Sequence, residues 1–134
     1  MDDDSRVAAV RARLAEVIED DPSPAEIALV RRLLHSFASK APDAAGLLAA
    51  LLRDGDPGRV RDQAHTLKGS AANIGATALA DLCLAVEDQA RAGTIADPAD
   101  TTERLRTEVA AALRAVAVVA GEYESLAEVL NRSP

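Results

Sequence analysis

The sequence predicts an all-α fold, an antiparallel up-down four-helix bundle with an additional N-terminal helix. Three observations lead there. Apolar residues recur in steps of three and four over most of the 134 residues, and no segment alternates in the way a strand requires. Hydrophobic residues make up 49% of the chain, enough for a core, but aromatics are 1%, limited to Phe37 and Tyr123. A core of Leu, Val, Ile and Ala suits close-packed helices. The seven Gly and six Pro fall mostly where turns are wanted, and short turns between long amphipathic helices imply antiparallel neighbours.

The first helix is expected from about Ser5 to Asp20, with Ser5 as N-cap and Val7, Val10, Leu14 and Val17 on one face. Asp20-Asp21-Pro22-Ser23-Pro24 breaks it and restarts the chain, with Ser23 as cap and Pro24 in the first turn. In the second segment, Val30, Leu34, Phe37, Ala41, Ala44, Leu48 and Leu51 keep phase through Pro42. Two helices joined by a loop would normally lose that phase. One helix from about Pro24 to Arg53, bent at Pro42, is expected, the alternative being two helices that happen to be in register.

Asp54-Gly55-Asp56-Pro57-Gly58 is a stop and turn. The third helix should run from about Pro57 to Ala72 on Val60, Ala64, Leu67 and Ala71, with Ile74 at the exit and Gly75 suited to a left-handed cap. The fourth, about Ala76 to Ala92, carries Leu79, Leu82, Val86 and Ala90, with Glu87 and Arg91 one turn apart. The last, about Ala99 to Asn131, has an apolar seam of Leu105, Val109, Ala112, Val116, Val119, Tyr123, Leu126 and Leu130. The whole, 1–134, reads as one domain, with the first helix packed across the bundle or capping one end.

Several functions are excluded or weakened. A net charge of −7 argues against nucleic-acid binding and gives no support for an anionic membrane. One cysteine, Cys83, forms no internal disulfide and reads as a small buried hydrophobe; with two histidines, a zinc site is not expected. No apolar run reaches membrane-spanning length, and the start, Met1-Asp2-Asp3-Asp4, is acidic, unlike a secretory leader. A soluble cytoplasmic protein is expected, with those acids as a solvated tail.

His65 stands out. At about 100° per residue it lies far around the third helix from the apolar stripe. Arg61, Lys68, Gly69 and Ala72 share its face. A glycine inside a helix costs roughly 1 kcal/mol relative to alanine. No turn calls for Gly69; one reason to keep it is to clear bulk beside His65 for a partner's surface, the alternative being packing against a neighbouring helix, and Ala72 extends the low relief. Lys68 and Arg61 put positive charge where a phosphoryl group on the imidazole would sit. Neutral imidazole is nucleophilic near pH 7, but phosphoryl transfer also needs a metal ion held by acids. Asp62 alone is no magnesium site, so a partner must bring the metal. His35 matches no motif and reads as structural or solvated, and Gln63 as an ordinary surface residue.

His65-Thr66-Leu67-Lys68-Gly69-Ser70-Ala71-Ala72-Asn73-Ile74-Gly75 resembles the signature of histidine-containing phosphotransfer domains. Phe37 upstream, Gly55-Asp56 before the histidine helix and Leu79, Leu82-Cys83 and Glu87 after it extend the likeness over about Pro24 to Gly93. The resemblance implies that His65 accepts a phosphoryl group at Nε2, that Lys68 assists electrostatically, that Gly69 gives access, that Leu67 is core and that Ser70 is a minor helper. It implies no cofactor of the chain's own, magnesium being supplied by the receiver domain of a response regulator. The implied partners are that receiver domain and a sensor or hybrid histidine kinase, served by a phosphoryl carrier without kinase or phosphatase activity; a closed bundle makes a monomer the expectation. Two alternatives remain: a helical interaction module that carries no phosphate, and a phospho-accepting fragment of a chemotaxis-type histidine kinase, which shares the motif.

Overall fold

The computed structural model describes residues 1–132. It has five helices in chain order: α1 Asp3–Ala15, α2 Pro24–Asp54, α3 Pro57–Ile74, α4 Thr77–Arg91 and α5 Pro98–Arg132. Helix α2 neighbours α3 and α5, and α4 neighbours the same two, so α2 to α5 close a four-helix bundle. Helix α1 lies along α5 and touches α3 and α4. The core runs through all five, from Val10 and Leu14 to Leu34, Leu48, Leu67, Leu79 and Val119.

Local chemistry sets the helix ends. Ser23 and Glu26 form a reciprocal capping box at the start of α2. Asp56 accepts the backbone N–H groups of Gly58 and Arg59 at the start of α3. Gly55 and Gly75 end α2 and α3 in the left-handed conformation, with φ of 76° and 85°.

Helix α1 departs from expectation at both ends. Its cap is Asp2, whose carboxylate accepts the backbone N–H of Ser5 at 2.7 Å. A carboxylate there also meets the positive end of the helix dipole. The acidic start is therefore structured: Asp3 pairs with Arg114 of α5 at 3.1 Å. The helix stops at Ala15 rather than Asp20, leaving Val17 exposed. Its last bonds, from the N–H groups of Glu16 and Val17, reach back only three residues, and the acids that follow face the negative end of the dipole.

Helix α2 passes through Pro42 without interruption. Proline withholds one N–H, but Pro42 and Ala38 are both exposed, so water can reach the freed carbonyl. Past the proline the buried positions are Ala45 and Leu52, where Ala44 and Leu51 were expected. The inward face has rotated toward α5, while Ala44 turns toward α3 and its carbonyl accepts a hydrogen bond from Gln63 at 3.0 Å. Gln63 is thus half-buried and ties two helices together, more than a surface residue.

The seam of α5 is buried through Val119 and half-buried at Tyr123, but Leu126 is exposed and Leu130 only partly covered. Helix α1, which covers α5 through Arg6–Glu108 and Arg11–Glu122 pairs, has ended by then.

Gly75 is a seat as well as a cap. A Cβ built on it would lie 2.7 Å from Arg13 Cβ, 2.8 Å from the Ala9 carbonyl oxygen and 2.9 Å from Val10 Cα. The backbone of α1 rests directly on the α3–α4 turn, and Arg13 Nε donates to the Asn73 carbonyl at 3.2 Å, satisfying one of the orphan acceptors at the end of α3.

Candidate functional site

The apolar stripe of α3 buries Val60, Ala64, Leu67, Ala71 and Ile74. His65 is rotated out of that stripe, and its side chain is 66% exposed. Its ring is nevertheless fixed. Nδ1 lies 2.8 Å from Oε2 of Glu87, which reaches across from α4.

Glu87 holds the site together. Its side chain is 2% exposed, and it is one of two buried polar or charged residues among those described. Three nitrogens meet its carboxylate: Lys68 Nζ at 2.7 Å on Oε1, and His65 Nδ1 and Arg91 Nη2, the latter at 2.9 Å, both on Oε2. A buried charge is tolerated only when so paired. The Lys68 hydrogen bond, above all, holds the Glu87 carboxyl below its usual value against the opposing effect of burial, with the His65 bond adding to it.

An ionised carboxylate only accepts hydrogen bonds. The proton of a neutral His65 imidazole therefore sits on Nδ1 and donates to Glu87, and the lone pair is left on Nε2. Ring orientation and tautomer are set by one contact.

The other residues singled out from the sequence divide into two groups. Lys68 is half-buried on the α4 side, joined to Glu87. Gly69 and Ala72 are exposed, and a Cβ on Gly69 would meet nothing within 4 Å, so the surface beside the imidazole is open. Arg61 is exposed, and its Nε donates to its neighbour Asp62 at 3.0 Å. Ser70 is on the opposite flank, lining a groove between α2 and α3 with Leu33, Ser36, Phe37 and Lys40. His35 is exposed, 3.9 Å from Glu124. Cys83 is fully buried, and burial, with the Glu87 charge adding, pushes its thiol up to about 12, which keeps it protonated and unreactive.

A family model for the Hpt domain matches residues 32–115. The chain belongs to the Hpt domain family. No curated protein and no solved structure matches it. Hpt domains are helical, histidine-containing phosphotransfer modules that work as carriers with receiver domains and kinases. The match begins inside α2 and ends inside α5, leaving α1 outside the family pattern. No helix among the described residues of this Hpt domain is long and apolar enough to cross a membrane.

The sequence of this Hpt domain pointed to Glu87 as part of the family likeness and as a helical pair with Arg91, which the 2.9 Å contact bears out, but not to its contacts with His65 and Lys68. The missed signal was position. Glu87 follows Leu79 and Cys83 at four-residue steps, on the edge of a stripe that is otherwise apolar. A charge there requires partners from another helix.

Proposed function

We propose that this protein carries a phosphoryl group on Nε2 of His65, passing it to and from an aspartate of a receiver domain in a two-component relay fed by a sensor or hybrid histidine kinase. The observation that carries this reading is the exposed imidazole whose Nδ1 is held by the buried Glu87 carboxylate.

The chemistry follows from that contact. The Nε2 lone pair attacks the phosphorus of the partner's aspartyl phosphate, an N–P bond forms, and the bond from phosphorus to the acyl oxygen breaks. The aspartate departs as a carboxylate. The Nδ1 proton stays in place throughout, and Glu87 balances the positive charge that the phosphorylated ring acquires. The reverse step uses the same proton in the same place, so neither direction needs a general base on this chain. Glu87 is already engaged by three nitrogens, so the magnesium ion that neutralises the transferred group is assigned to the receiver domain. Lys68 supplies positive charge beside the ring, and Gly69 with Ala72 admits the partner's surface. A monomer working in the cytoplasm fits this role.

The test is incubation with a phosphorylated receiver domain. Phosphate that is acid-labile, base-stable and lost in His65→Gln is the expected result. Labelling that survives His65→Gln would place the acceptor elsewhere.

A further inference from the structure

Positive charge near His65 comes from two helices. On α3, Arg61 is turned to Asp62. On α4, Arg91 shares a single oxygen of Glu87 with the imidazole: Nη2 donates to Oε2 at 2.9 Å, and His65 Nδ1 meets the same atom at 2.8 Å. Two donors on one oxygen can be no further apart than two hydrogen-bond lengths. The guanidinium is thereby fixed beside the ring, whereas Lys68 sits on the other oxygen, Oε1. The Arg91 side chain is 61% exposed, and its other contact is a looser one, Nη1 to Asp88 at 3.5 Å. Donors of its planar fork remain to be satisfied, in the arrangement that suits phosphate oxygens.

Charge balance points the same way. Glu87 carries one negative charge and faces two cations, Lys68 and Arg91. At the buried carboxylate itself the cations outnumber the anion by one, the exposed Asp88 carboxylate standing further off, 3.5 Å from Arg91 Nη1. A structural pair on α4 would need Glu87 and Arg91 only; the buried carboxylate instead gathers the histidine and both cations at one point.

We propose that Arg91 is a phosphoryl-binding residue, held at one end by Glu87 and hydrogen-bonding through its free donors to the phosphoryl group on Nε2 of His65. This rests on His65 being the acceptor. Arg91 makes this contact only when His65 is phosphorylated, so it favours phosphohistidine over the phosphorylated receiver aspartate.

The experiment measures how a phosphoryl group partitions at equilibrium between the full chain and a receiver domain, for the parent and for Arg91→Ala, Arg91→Lys, Arg61→Ala and His65→Gln. Labelling with phosphoramidate, followed by phosphorus NMR, reports the phosphohistidine without any receiver. Arg91→Ala should shift the partition about tenfold toward the receiver, the loss expected for one hydrogen bond to a charged group. Arg91→Lys should recover part of it, and Arg61→Ala should change little. Melting temperature and the Nδ1–H tautomer should stay as in the parent. A parental partition in Arg91→Ala would overturn the proposal, as would a larger shift in Arg61→Ala. A changed tautomer with an unchanged partition would reduce Arg91 to a support for Glu87. Labelling that persists in His65→Gln would remove the acceptor reading and this inference with it; lost labelling there, with a parental partition in Arg91→Ala, would sink the inference alone.

Discussion

Nδ1 of His65 and Oε2 of Glu87 stand 2.8 Å apart, although 22 positions separate them in the chain. The contact joins an exposed ring to a buried charge. Glu87→Gln tests its worth with almost no change of shape. An amide presents either its oxygen or its NH2 to the ring, so the tautomer preference should collapse. Long-range proton–nitrogen NMR of the imidazole would show a mixture in place of Nδ1–H alone. Phosphoryl transfer should slow roughly ten- to a hundredfold, the equivalent of one charged hydrogen bond of about 1.5–3 kcal/mol. A single tautomer in the variant would mean that something else orients His65.

The same carboxylate makes an acid-sensitive element. Its pKa is lower in the folded chain than the ordinary 4.5, chiefly through Lys68. A group depressed by folding contributes stability above its unfolded value and loses it as pH falls through the folded one. The parent should therefore lose stability as pH drops below about 4.5. Glu87→Gln should lose less over that range, while Asp3 and Glu122, also lowered by their arginine partners, continue to titrate in both proteins. Melts between pH 7 and pH 3 in parent and variant check this; parallel curves would refute it.

Two glycines of one helical segment should respond in opposite directions to alanine. Gly69→Ala should stabilise the fold by roughly 1 kcal/mol, since helix propensity improves and the added Cβ meets nothing. Gly75→Ala should cost at least about 2 kcal/mol, because a left-handed residue with a Cβ is strained and that Cβ would press on the α1 backbone. Thermal melts with matched buffers decide both.

Gly69→Leu separates stability from access. The fold should stay at least as stable as the parent, as leucine is a good helix former, yet transfer from a receiver should fall by an order of magnitude or more as the side chain intrudes beside the imidazole. Lys68→Ala should instead leave docking intact and impair transfer. Parental transfer rates in Gly69→Leu would show that the open surface beside His65 is not where the partner docks.

The bundle could be read from the sequence because most of its instructions are local. Ser23 with Pro24, Pro57, Gly55 and Gly75 mark helix ends within a few residues, and the stripe of α3 places His65 outside with no knowledge of any neighbour. What escaped depends on contacts between helices. Ala45 in place of Ala44, and the exposure of Leu126, follow from where α5 and α1 happen to lie. The cap at Asp2 was hidden because Ser5, an equally good capping type, stands three residues later and turns out to supply the N–H that is capped. The contacts of Glu87 with His65 and Lys68 escaped for the same reason: periodicity tells which face a residue occupies, and not what the facing helix holds out to it.

The seating of α1 on Gly75 bears on how this protein should be trimmed. A fragment cut to residues 32–115 would keep His65, Lys68, Glu87 and Arg91. It would also begin partway along α2, discard the buried Val116 and Val119, uncover Gly75 and leave the Asn73 carbonyl without Arg13. Every group near the imidazole would be present on a scaffold missing one wall and one end. Silence from such a fragment would speak of lost architecture ten residues down the helix, where α1 rests on Gly75.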